Sequence, residues 1–355
     1  MNAVARAIVR HSRRILALTA VITLASALML FRMDFNADVA SFVLEGNDTG
    51  ETFQALQDKY ATADPINVVA SLPAGETFTD PDNLVRLIDL RDALGRIDGV
   101  EEVASIVPEV NPLTGPRISA GDLTAAGEAG IAGLLAQTPF SELLLAESTS
   151  DTMLIVVPGE DGLAVAQDVA DVAPPSGIEL TLSGNPVVFS SVIDILSFFL
   201  LLIPPAVFFL LVAVFYATIG DRRLSVLAML PAVLGSVWTF GLIFALGREV
   251  DIVTVIVPIF VIVMGSADGL HFVTHFQEEA ETSGDTVDRV RSALSHVGVP
   301  MILTTISTAA GFASLLFTNV QPIQQLGLFT AVGIVFAGII SFFSLPALLS
   351  RLTIE

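Results

Sequence analysis

Six runs of apolar residues, each long enough to cross about 30 Å of hydrocarbon as a helix, constrain this chain more than any other feature. They lie at 15–32, 195–217, 224–246, 252–273, 299–318 and 325–349. A soluble core cannot absorb that much continuous apolar surface, so the chain reads as a polytopic α-helical membrane protein. Of its 355 residues, 53% are hydrophobic and 15% charged, far from an ordinary soluble domain.

An even number of spans puts both termini on one side. With the N-terminus in the cytoplasm, Arg6, Arg10, Arg13, Arg14, Arg222, Arg223, Arg289, Arg291 and Arg351 all fall inside, and the short outer loops carry Arg248 alone. That is the distribution the positive-inside rule favours. The expected layout is a multi-pass protein of the cytoplasmic (inner) membrane. Residues 1–14 form the cytoplasmic N-terminus, 15–32 the first span, 33–188 an extracytoplasmic domain, and 189–355 a five-helix transmembrane domain with a cytoplasmic loop at 275–297. The basic start, apolar core and Ala25-Ser26-Ala27 imitate a signal peptide, but the apolar run continues to Phe31, which favours a retained span.

The net charge of -21 is not spread evenly: residues 33–188 hold 26 Asp and Glu against Lys59, Arg86, Arg91, Arg96 and Arg117, so that segment carries all of it. So acidic a domain excludes nucleic acid as a natural partner. The chain has no cysteine, which removes disulfides, thiolate metal sites and cysteine nucleophiles.

Within 33–188 the pattern predicts a strand at 66–72, a helix at 81–94 with Leu84, Leu87, Ile88 and Leu94 near helical spacing, and a strand at 100–107. A second unit repeats the order, with a strand at 152–157, a helix at 162–172 and a strand at 178–182. Two strand-helix-strand units predict an α+β domain of ferredoxin-like, porter type. The Ala/Gly/Leu-rich stretch at 120–147 reads as helical in its first part. At 275–297, Asp285 is a plausible cap, followed by Val287, Val290, Leu294 and Val297 on one face, as in an amphipathic helix on the inner leaflet or a simple connector.

Asp268 is the most informative residue, because an ionisable group inside a span is costly and is commonly tied to an ion path or proton relay. It lies six residues beyond the middle of the fourth span near Ile262, about 9 Å at helical rise, still within the hydrocarbon. His271, at i+3, shares its face and is placed to exchange a proton with it or to serve as an interfacial hydrogen-bonding residue near the cytoplasmic boundary. In the fifth span Thr304 reaches nearly the same depth, and Thr304, Thr308 and Gly311 share a face among Thr305 and Ser307. Helix packing is the competing reading for these hydroxyls. Gly265 and Gly311 are expected to permit close helix approach. Asp194, near the outer end of the second span, is a gate candidate or a headgroup-level carboxylate. Pro204-Pro205 in that span predict a kink. No phosphate loop, zinc-protease helix or nucleophile elbow is present, so no catalytic or metal residue is assigned, and energy must come from an ion gradient.

The stretch Gly265-Ser266-Ala267-Asp268-Gly269-Leu270-His271-Phe272, with His275-Phe276-Gln277-Glu278-Glu279 after it, resembles the fourth span of transporters of the resistance-nodulation-division superfamily. The likeness is to the branch of mycobacterial-type lipid exporters (MMPL) and sterol-sensing-domain proteins. Leu303-Thr304-Thr305, Gly311-Phe312, Gln325-Leu326-Gly327 and Leu345-Pro346-Ala347-Leu348 support it. The resemblance implies a proton-driven secondary transporter, not an enzyme and without a cofactor, exporting or relocating hydrophobic or lipid-like substrates, with H+ coupled through Asp268. Many members carry Asp or Tyr after this aspartate; here Gly269 stands instead, which implies either a simpler relay or one that leans on His271. Members commonly have twelve spans in two halves, so a homo-oligomer, a second six-helix half or a truncated piece is implied. A non-transporting lipid sensor or scaffold, or an accessory subunit of protein export, are the alternatives.

Overall fold

The computed structural model describes residues 2–36, 64–107, 110, 118, 120–137, 141–159, 161–279 and 286–352. Two compact units emerge: Met1–Glu51 with Ile193–Glu355, and Thr52–Val192.

The first unit begins with α1 (Asn2–Arg10) and α2 (Ser12–Met29). The first unit resumes within α7 (Asn185–Ile219), whose first residues belong to the second unit, and continues as α8 (Arg222–Ala245), α9 (Val257–Glu278), α10 (Thr286–Ala313), α11 (Gln321–Ile339) and the short α12 (Leu345–Leu349). Among the described residues six helices, counted with their flanking turns, are long and apolar enough to cross a membrane. The chain is thus a multi-pass membrane protein.

Local chemistry sets the helix starts. Asp221 caps α8 by accepting from the amides of Arg223 (2.7 Å) and Leu224 (2.9 Å). Buried Asp251 does the same for the turn leading into α9, accepting from Val253 (2.8 Å) and Thr254 (2.7 Å). Between α11 and α12, residues Ile340–Ser344 form a π-helical segment. Pro346 follows it and has no amide to give, so the wider turn spares its ring a clash with the preceding carbonyls. The Pro204-Pro205 pair lies inside α7, whose helical assignment is unbroken.

Packing separates these helices into two sets. In the spans built on α8, α9 and α11 half or more of the most apolar stretch is buried, against 6% in each of those built on α2, α7 and α10. Small residues hold the inner three together. A Cβ added at Gly235 of α8 or Gly265 of α9 would meet the Cβ of Ala337 on α11 at 2.9 and 2.7 Å. Gly269 is tighter still, for a Cβ there would collide with the backbone carbonyl of Ala228 on α8. A larger residue after Asp268 does not fit this backbone. On the outside, α2 is tied down by Trp238 Nε1 donating to Thr23 (2.8 Å) and by Thr19 bonding Ser344 (2.8 Å).

Around the expected loop at 275–297, α9 runs on to Glu278, and α10 begins at Thr286 and continues into the span. The apolar face of Val290, Leu294 and Val297 is buried in a protein core with Ala5 and Ile8 of α1. Hydropathy alone cannot distinguish a face buried against lipid from one buried against another helix. Asp285 lies outside the described residues.

The second unit contains β1 (Ile66–Ser71), α3 (Pro81–Leu94), β2 (Val100–Ala104), α4 (Ala120–Gln137), α5 (Ser141–Leu144), β3 (Asp151–Pro158), α6 (Gly162–Ala170) and β4 (Glu179–Ser183). The four strands form one sheet in the order β2-β3-β1-β4, each neighbour antiparallel, so the two strand-helix-strand units interleave. Cross-strand pairs such as Ile66–Val156 and Val68–Leu154 are fully buried. They pack with Leu84, Leu87 and Leu94 of α3 and Val165 and Val169 of α6. Asp80 caps α3 ahead of Pro81, and Asp161 caps α6. Gly127, at φ 59° and ψ 179°, breaks α4 within the Ala/Gly/Leu-rich stretch. At the start of β3, hydroxyls of Ser71, Ser150 and Ser148 hold the Asp151 carboxyl below the usual carboxylate range.

Candidate functional site

Asp268 projects from the middle of α9 toward α10. Its position on that face follows from packing, since Gly265 and Gly269 turn the small side of α9 toward α8 and α11. The half-buried carboxylate is held at both oxygens by consecutive residues of α10: Thr304 Oγ1 donates to Oδ1 at 3.2 Å, and Thr305 Oγ1 donates to Oδ2 at 3.1 Å.

The two hydroxyls are not equivalent. Thr304 Oγ1 also stands 2.9 Å from the Met301 carbonyl and 3.1 Å from the Pro300 carbonyl. Three acceptors compete for its one hydrogen, so it can leave Asp268 without becoming unpaired. Thr305 has Asp268 as its partner. Behind it stands Gly338 of α11, where an added Cβ would meet Thr305 Cγ2 and Oγ1 at 2.6 Å. The absence of a side chain at Gly338 is what lets Thr305 take this place.

Asp268 opens into a cavity of about 490 Å³ lined by Gly265, His271, Thr304, Thr305 and Thr308, together with His275 and His296. A narrower apolar cavity of about 240 Å³, between α10, α11 and the π-helical segment, lies beside it. Met301 and Thr305 line both cavities.

Of the residues singled out in the sequence, the structure brings together Asp268, His271, Thr304, Thr308 and Gly265. Gly311 lies exposed on α10, and among the described residues nothing stands within 4 Å of a Cβ placed there. Asp194 is exposed on α7 and does not line the Asp268 cavity. Sequence reasoning did not select Thr305, His275 or His296. The i+7 spacing from Asp268 marks His275 as a residue of the same helix face. His296 joins only because α10 extends back past Pro300, which the span boundary at 299 concealed. Among the described residues no cluster of three or more His, Cys, Asp or Glu is arranged to hold a metal ion.

Fold and site together define a multi-pass membrane protein with a carboxylate of the inner span α9 held by hydroxyls of the outer span α10. Comparison with known proteins narrows the class: residues 222–353 match the family model for the sterol-sensing domain of SREBP cleavage-activation. Over 327 residues the chain is 21% identical to a Methanocaldococcus jannaschii protein described as a membrane protein, covering 86% of this chain and 81% of that one. Over 89 residues it is 34% identical to the hopanoid transporter HpnN of Rhodopseudomonas palustris, covering 25% of this chain and 10% of that relative's length. The resemblance to the sterol-sensing branch of the resistance-nodulation-division superfamily, drawn from the motif around Asp268, is borne out.

Proposed function

We propose that the chain is a proton-driven secondary transporter, or half of one, that exports or relocates hydrophobic, lipid-like molecules. The observation that carries this reading is the intramembrane carboxylate gripped at both oxygens by Thr304 and Thr305 at the edge of a polar cavity. A charge at that depth is costly and persists where it does work. Protonation of Asp268 removes the charge its two donors stabilise, and Thr304 is free to turn back to its own helix. That gives α9 and α10 two hydrogen-bonding states, selected by one proton. The hopanoid transporter relative and the sterol-sensing match support a lipid-like cargo. Proton is the coupling ion in this reading, with no cofactor and no covalent chemistry.

In the same proposal the N-terminus is cytoplasmic, the membrane is the inner one, and the second unit is extracytoplasmic. The β2-β3-β1-β4 order is read as a ferredoxin-like, porter-type domain that meets the cargo. Gly265 is a packing residue, Asp194 a gate candidate, and a second copy or second six-helix half is the expected partner.

The test is gradient-driven movement in vesicles reconstituted with the full chain, using a panel of hopanoid, sterol and phospholipid probes. Asp268→Asn is expected to abolish movement that depends on an imposed pH gradient while leaving the protein folded. Equal behaviour of mutant and wild type would overturn proton coupling at Asp268. It would favour a second reading, a lipid sensor that moves nothing, to which the sterol-sensing match over 222–353 also points.

A further inference from the structure

Three of the chain's four histidines line the cavity that contains Asp268. His271 and His275 follow Asp268 at i+3 and i+7 on α9, so the three side chains descend one helix face toward its C-terminal end. There His275 meets His296 of α10, with ring centroids 6.3 Å apart and planes within 13° of parallel.

The hydrogen bonds orient both rings. His296 Nδ1 lies 3.0 Å from the Ser292 carbonyl, which can only accept, so Nδ1 carries the hydrogen. His275 Nδ1 lies 2.9 Å from a carboxylate oxygen of Glu278, which fixes the same tautomer. In each ring Nε2 is then the basic atom. The separation is too long for a direct bond between the rings and suits an intervening water. Ser292 Oγ donates to Glu279 at 2.7 Å and ties α9 to α10 at this level.

We infer that the His275–His296 pair is the port through which the proton leaves Asp268 on the cytoplasmic side, with His271 as the intermediate station. Resting on the transporter reading above, this adds the path. A proton on an Asp268 carboxylate oxygen passes to His271 and then through water to Nε2 of one port histidine, which releases it to the aqueous phase. Asp268 returns to its carboxylate and each imidazole to its neutral form, and N–H and O–H bonds alone are made and broken.

The test uses the full chain in vesicles with a trapped pH-sensitive dye, reading proton flux under an imposed gradient. Wild type is compared with Asp268→Asn, with the double variant His275→Ala/His296→Ala, and with the more conservative His275→Gln/His296→Gln. Both double variants are expected to slow the Asp268-dependent flux by about tenfold or more, the scale on which positioned proton carriers act. Added imidazole, a diffusible substitute for the missing ring, is expected to restore most of it in the alanine variant. Asp268-dependent flux that is unchanged in both variants, or slowed in both but not restored by imidazole, overturns the port alone. Absence of any Asp268-dependent flux in wild type overturns the transporter reading and the port with it.

Discussion

At the scale of single residues, the site depends on an inequality between two neighbouring threonines. Thr305 gives its hydrogen to Asp268, whereas Thr304 divides its own among Asp268 and two backbone carbonyls. A hydrogen bond to a charged group is worth about 1.5–3 kcal/mol, equivalent to about tenfold or more in rate. Thr305→Val is therefore expected to reduce gradient-driven movement by about that factor, Thr304→Val by clearly less, and Thr305→Ser hardly at all. Transport rates of the three variants in vesicles check this, and a larger loss from Thr304→Val than from Thr305→Val would contradict it. Asp268 itself was legible in the sequence, because a carboxylate within an apolar run violates the hydropathy pattern around it. Thr305 was not, since threonine is common in spans and its importance arises from which helix α9 faces. The same holds for His296, whose distance along the chain from Asp268 hides their shared cavity.

At the scale of elements, the strand-helix-strand pattern was readable almost to the residue. Helix 81–94 coincides with α3 because Asp80, Pro81 and the spacing of Leu84, Leu87 and Leu94 all agree. The strand expected at 100–107 ends earlier, at Ala104, where Ser105 bonds the Val107 carbonyl at 2.7 Å and turns the backbone away. The spans were placed correctly but cut short at their polar ends, most of all α10, whose first three turns pack on α1 through an apolar face. Helix contacts also make a remote residue matter to the site. Gly338 of α11 supports Thr305 from behind, and threonine's branched Cβ leaves it little freedom to yield. Gly338→Ala is expected to push Thr305 off Asp268 and to lower transport as Thr305→Val does. Combining it with Thr305→Ser, which keeps the hydroxyl but deletes Cγ2, one of the two colliding atoms, and frees the side chain to turn, should recover part of the loss. A double-mutant cycle measures this, and strictly additive effects would show that Gly338 and Thr305 do not act through one contact.

At the scale of the whole molecule, the uneven burial of the six long helices sets the last prediction. Lipid can cover the apolar side chains of α2 and α7, yet α10 carries exposed Thr304 and the mouth of a cavity with an aspartate and three histidines. Polar groups at that depth need protein or water beside them, because hydrocarbon offers no hydrogen bonds. The apolar residues next to them, Leu303 and Ile306, are 62% and 60% exposed, which makes α10 the natural face for a partner. A second copy meeting this one about a two-fold axis would place like surface on like and bring two Asp268 cavities together. The chain's freedom from cysteine makes the idea directly testable. Leu303→Cys or Ile306→Cys should form a disulfide between copies in the membrane under mild oxidation, while Phe199→Cys on α7 should not. Cross-linking on α7 alone would move the interface away from the proton site. No cross-linking anywhere, with transport intact, would mean that a single copy covers its own cavity with water.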